Sequence, residues 1–224
     1  MNYLSHFAIN QKKQVSPQFH LGAALPDLMS AINRTLRFQE NAVRAYIPHA
    51  HCPDVWHGVL NHFEADAAFH GSSFFVSCYE TIRELLKENI APQKNIRPFF
   101  LAHIVVEILL DHVLSSNDTS LASRYYRNLE RIVVPTIQTD VDRYFGNSTS
   151  EFTEIFDRFM RFKFLYEYDQ IKKMHEPINR MLRRTRQDGF AEHEIADLIA
   201  ILETCKHIIV KALPEFEAQF MPQG

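Results

Sequence analysis

Glycine, cysteine and charge of one sign are all scarce in this chain. Its 224 residues hold only 6 glycines, and runs that alternate apolar and polar residues are few. Hairpins want glycine-bearing tight turns and strands of period 2, so a β-rich fold is excluded and a helical one is expected. Only 3 cysteines are present, Cys52, Cys78 and Cys205. They lie far apart with no C-x-x-C pair, which fits a reducing cytosol and not a disulfide framework. The opening residues, MNYLSHFAINQKKQ, lack the apolar core of a signal peptide. No apolar run approaches the roughly 20 residues that span a bilayer. The net charge of −3 does not suggest a nucleic-acid binder. These absences point to a cytoplasmic protein with no membrane span.

Apolar side chains are plentiful: 46% of residues are hydrophobic and 18 are phenylalanine, enough for a sizeable core without staples. The expected architecture is all-α, a single compact helical domain over residues 1–224. A ligand-bearing half occupies residues 1–114, and a helical wrap occupies residues 120–214.

Residues 56–70, WHGVLNHFEADAAFH, organise the rest. Val55, Val59, Leu60, Phe63 and Ala67 supply an apolar helical surface, with Asp54 placed to act as N-cap. His62, Asp66 and His70 fall at i, i+4 and i+8 and therefore share one face. Alone, that face reads equally as a solvated polar stripe. A second segment, residues 99–114, FFLAHIVVEILLDHVL, is apolar nearly all round and therefore expected to be buried. It nevertheless carries His103, Glu107 and Asp111 at the same spacing, with His112 adjacent. A buried carboxylate needs a partner or a metal, so two such stripes suit a helical metal site. The plainer alternative is a set of buried His–carboxylate pairs that hold helices in register.

The remaining segments follow in order. The apolar N-terminus, with His6 embedded, is expected to dock in the core. In FHLGAALPDL, Pro26 suits the first turn of a helix or a turn position, and Asp27 taken alone reads as a cap. His49 and His51 sit in a loop before the central helix. Residues 76–88 resume as helix. Residues 120–145 read as one long amphipathic helix, broken or kinked at Pro135. Ser148 and Glu151 form a capping-box pattern opening a helix to about residue 174. A short helix starts at Pro177, and the last spans residues 191–213 and ends at Pro214. Lys172, Lys173, Arg180, Arg183, Arg184 and Arg186 form a basic cluster, either a solvated face or a docking patch for an acidic partner. Tyr125, Tyr126, Tyr166 and Tyr168 read as packing residues.

Four of these motifs, in this order, resemble one family. MNYLSHF, LGAALPDL, the Gly-x3-His-x3-Asp of GVLNHFEAD, and Leu110–Asp111–His112 are similar to elements of the acyl carrier protein phosphodiesterases, over roughly residues 1–114. The resemblance implies an all-helical, HD-like metal phosphohydrolase that uses a divalent cation, typically Mn²⁺, with Fe²⁺ or Zn²⁺ as alternatives. The implied activity releases 4′-phosphopantetheine from acyl carrier protein. The implied metal residues are His6, Asp27, His62, Asp66 and Asp111, with His112 a lesser member. Phe63 and Glu64 stand where the family carries basic residues. His70, His103 and Glu107 come from the stripes alone. On this reading Asp111 completes the metal shell or orients water. His70, His103 or His112 protonates the leaving oxygen, and Glu107 binds the cofactor. The partner is acyl carrier protein or a small phosphodiester, with a homodimer left open. The alternatives are a metal phosphohydrolase acting on a nucleotide or phospholipid head group, and a non-catalytic helical protein.

Overall fold

Apolar residues recurring every three or four positions, with few glycines to interrupt them, dictate helix. A computed structural model describes residues 1–13, 15–33, 35–90, 94–146 and 151–221, and no strand occurs among them. The all-α class read from the sequence is the class observed. The chain divides into two compact units, each built from two separate stretches: Met1–Ala67 with Ser120–Tyr166, and Ala68–Thr119 with Glu167–Gly224.

The first unit contains α1 (Tyr3–Asn10), α2 (Pro17–Ile32), α3 (Glu40–Tyr46), most of α4 (Pro53–His70), α7 (Leu121–Leu129), α8 (Val134–Phe145) and α9 (Glu151–Phe162). Helix α1 packs on α2 and α7, and α2 also meets α9. The N-terminal segment is docked as expected, with Met1, Leu4 and Phe7 buried. Asn2 and Ser5 form a capping box that starts α1. Ser16 caps α2, and Pro17 fills the first helical position, where a missing N–H costs nothing.

Helices α2 and α4 cross at two glycines. A methyl group added to Gly22 would fall 1.9 Å from the Val55 carbonyl oxygen, and one added to Gly58 would fall 2.1 Å from that of Phe19. The backbones approach this closely only because neither position has a side chain. Everything one or two turns further along either helix, including His62 and Asp27, is placed by that crossing.

A buried carboxylate anchors the loop before α4. Asp140, on α8, accepts from the backbone N–H groups of His51 (3.0 Å) and Cys52 (2.9 Å) and pairs with His51 Nδ1 at 2.9 Å. The Tyr46 hydroxyl reaches the same carboxylate at 3.4 Å.

The second unit contains the last turn of α4, α5 (Ser73–Asn89), α6 (Pro98–Asn117), α10 (His175–Arg184) and α11 (Ile195–Phe220). Helix α6 packs on α5, α10 and α11, and α11 also packs on α5. The buried setting predicted for α6 is observed over most of Leu101–Ser115, with His103 and Glu107 partly exposed. By length and composition α6 could cross a membrane, contrary to the expectation that no apolar run comes close. Most of it is covered by its neighbours, as a core helix would be.

Several boundaries differ from the sequence reading. Helix α4 starts at Pro53, so Asp54 lies in its first turn, where a carboxylate favours the N-terminal dipole. It accepts from the Ser16 hydroxyl at 2.6 Å. Pro26 sits deep inside α2 rather than at its start. The break expected at Pro135 is present, and residues 120–145 form α7 and α8, with Pro135 in the first turn of α8. Helix α9 stops at Phe162, where Lys163 takes φ 45°, and short 3₁₀ turns follow. Helix α11 runs through Pro214 to Phe220, because buried Leu213 and Phe216 on either side hold it in place. Tyr166 is largely exposed and stacks on buried Tyr126, whereas Tyr125 and Tyr168 are core residues. Ser148 of the capping-box pattern lies outside the described residues.

Candidate metal centre

Helix α4 turns its His62–Asp66 face inward, so the solvated-stripe reading does not hold for His62, which is buried. The His62 Nδ1 lies 2.9 Å from the Ala23 carbonyl oxygen on α2. A carbonyl only accepts, so the proton sits on Nδ1 and the Nε2 lone pair is left available. That is how metal-binding histidines are usually oriented by their outer partners. The Nε2 lies 3.5 Å from Asp66 Oδ2, one turn along.

His6, on α1, stacks on the His62 ring with centroids 4.5 Å apart. It is buried, and neither ring nitrogen has a hydrogen-bond partner among the described residues. Its Nε2 approaches Asp66 Oδ1 to 3.1 Å without hydrogen-bond geometry. Burial pushes the imidazole down to about 4 against the pull of Asp66, so His6 is neutral at pH 7 and its lone pair is unprotonated. Burial alone would raise Asp66, yet His6, the Met1 ammonium and His62 hold its carboxyl well below the usual carboxylate range. The ammonium stands 2.8 Å from Asp66 Oδ1.

Asp27 joins this group. One donor atom each from His6, Asp27 and His62 lies within 4.8 Å of the others. Ligands about 2.0–2.2 Å from one ion lie at most about 4.4 Å from one another, a little inside this limit. The buried imidazoles of His6 and His62, a neighbouring carboxylate and an ionised Asp66 are a donor set that fits a divalent cation. The orphaned nitrogens of His6 are what a buried cluster without such a role would not leave.

A second group lies in the second unit. His70, the last residue of α4, and His103 on α6 both approach one oxygen of Glu107, at 3.0 and 3.2 Å. The stripe read as His103, Glu107 and Asp111 therefore runs from a half-exposed end to fully buried Asp111. His112, also buried, places Nδ1 2.7 Å from the Tyr168 carbonyl oxygen, which fixes its tautomer in the same way as His62.

Residue spacing points to His62, Asp66, His70, His103, Glu107 and Asp111, and the family resemblance adds His6 and Asp27; Asp111 and Asp66 belong to neither three-residue group. The Ala23 carbonyl and the Gly22–Gly58 crossing had gone unnoticed, although both glycines are visible in LGAALPDL and GVLNHFEAD.

The fold and this site define an all-helical protein whose facing helices present clustered histidines and carboxylates at metal-ligating spacing. More narrowly, the acyl carrier protein phosphodiesterase model matches residues 1–216, and the chain belongs to that family. No curated protein and no solved structure matches it.

Proposed function

We propose that the chain is a metal-dependent phosphodiesterase that releases 4′-phosphopantetheine from acyl carrier protein. The observation that carries this reading is the convergence of His6, Asp27 and His62 within 4.8 Å, beside Asp66, with imidazole nitrogens left for a ligand. Family membership supports the substrate. Mn²⁺ suits this mixed nitrogen and oxygen set, and Fe²⁺ or Zn²⁺ share the preference. Such an ion supplies Lewis acidity to a non-bridging phosphate oxygen and makes water a stronger nucleophile at neutral pH.

The chain's own residues do the rest. Ala23 holds the His62 ring in the tautomer that exposes Nε2. Asp66 stays ionised and keeps the site negative. Asp111, which the resemblance counts among the ligand candidates, is fully buried on α6. Water oxygen bonds to phosphorus, the bond from phosphorus to the serine oxygen breaks, and that oxygen takes a proton. Histidine is the usual donor of such a proton. The acidic carrier would meet Lys172, Arg180, Arg183 and Arg186, all exposed. We read the enzyme as cytoplasmic.

Incubating the purified chain with holo-acyl carrier protein and Mn²⁺ tests the reading. Apo-carrier and free phosphopantetheine, detected by mass, are expected, and EDTA should abolish both. If no apo-carrier forms with Mn²⁺, Fe²⁺ or Zn²⁺, the substrate is wrong. Cleavage of a small phosphodiester under those conditions would then favour a different phosphohydrolase.

A further inference from the structure

We infer that His70, His103 and Glu107 form a second site for a divalent transition-metal ion, open on one side to solvent. The three donor atoms lie within 4.8 Å of one another. The Nε2 atoms of both histidines converge on a single oxygen, Glu107 Oε1, at 3.0 and 3.2 Å. Two imidazoles and one carboxylate are the protein ligands of open zinc and non-haem iron sites, which keep a position for water or substrate.

The surroundings favour a cation. His103 and Glu107 stand one turn apart on buried α6, so their spacing is rigid. His70 ends α4, where the helix dipole favours positive charge. Phe75 packs nearly perpendicular to both histidine rings, with centroids 4.8 Å from His70 and 5.2 Å from His103, and walls one side of the group with hydrocarbon. The other side is wet: the side chains of His70, His103 and Glu107 are 32%, 42% and 20% exposed. A site walled on one face and wet on the other admits an ion and leaves coordination positions vacant for a small ligand.

Calorimetric titration of the EDTA-stripped full chain with Mn²⁺, and separately with Zn²⁺, tests the site in wild type, His103→Ala, Glu107→Gln and His62→Ala. Two equivalents are expected in wild type. His103→Ala and Glu107→Gln should each weaken one of them at least about tenfold and spare the other. Glu107→Gln retains an acceptor for both histidines, so it reports on binding if His103→Ala fails to fold. Unchanged stoichiometry and affinity in both variants would overturn the inference and leave two histidines hydrogen-bonded to a carboxylate. One equivalent in wild type, lost in His62→Ala and kept in Glu107→Gln, overturns it while sparing the first cluster. One equivalent lost only in Glu107→Gln supports it and removes the first cluster instead. No binding at all overturns both.

Discussion

The His62 ring nitrogen and the Ala23 carbonyl oxygen meet at 2.9 Å between α4 and α2, and that one bond decides which face of the imidazole is free. Asp66, one turn along, lies beside both His62 and His6. If these side chains hold an ion, wild type should melt higher in Mn²⁺ than in EDTA, because a ligand that binds only the native state stabilises it by mass action. At a hundredfold excess over Kd the gain is about 2.7 kcal/mol. Asp66→Ala should lose most of that gain and remain folded in EDTA. Melting of both proteins with and without chelator checks this. A variant that is merely less stable, in a protein indifferent to EDTA, would make the cluster scaffolding.

His20 should give the fold an acid limit. It is buried beside Phe7, and its Nδ1 has no partner among the described residues. Burial lowers its pKa from 6.5 to about 4. Above pH 6.5 it is neutral folded or unfolded, and its contribution is intact. As pH falls from 6.5 towards 4, the unfolded chain takes a proton that the folded chain refuses, so stability is lost. At about 1.4 kcal/mol per unit the full loss is roughly 3 kcal/mol. Urea unfolding at pH 7.5, 6 and 5 should show wild type losing more than His20→Phe. Parallel losses would place the acid sensitivity elsewhere.

The glycine crossing should tolerate no side chain. Gly22→Ala and Gly58→Ala each drive a methyl group into a backbone carbonyl, so they should cost upwards of about 3 kcal/mol or prevent folding. Gly146 gives the contrast. It caps α8 at φ 71° with nothing within 4 Å of its missing Cβ, so Gly146→Ala should cost only about 1 kcal/mol of backbone strain. Denaturant midpoints of the three variants measure the difference.

Removing Asp140 should loosen the loop that leads into α4. Asp140→Ala strands the His51 and Cys52 N–H groups, and roughly 2–4 kcal/mol should be lost. Asp140→Asn keeps an acceptor and should lose less. Hydrogen exchange at Cys52 and Val55 would show whether the damage is local.

Periodicity made the stripes and the burial of α6 legible, because three-and-four spacing and an unbroken apolar surface are written in one stretch of chain. Asp27 stands 35 residues from His62, and only resemblance connected them. Asp140 was invisible for a stronger reason: its partners are backbone N–H groups almost ninety positions away, and main chain has no letter in the sequence. Pro26 and Pro214 misled because a local breaker rule gives way when neighbouring side chains are buried. Gly22 and Gly58 could each be read, but not that they answer one another. His20 carried no signal, since burial of a lone imidazole depends on what packs over it.

Helix α6 also bears on how the protein is made. Its covers are α5, which precedes it, and α10 and α11, which end at Arg184 and Phe220. During synthesis at about 5–20 residues per second, α6 waits on the order of 5–20 s for its last partner to leave the ribosome. Throughout that interval an apolar segment of near membrane-spanning length stands half uncovered. The nascent chain is therefore most at risk of aggregation in the window between α6 and α11, and truncation before α11 should yield insoluble product.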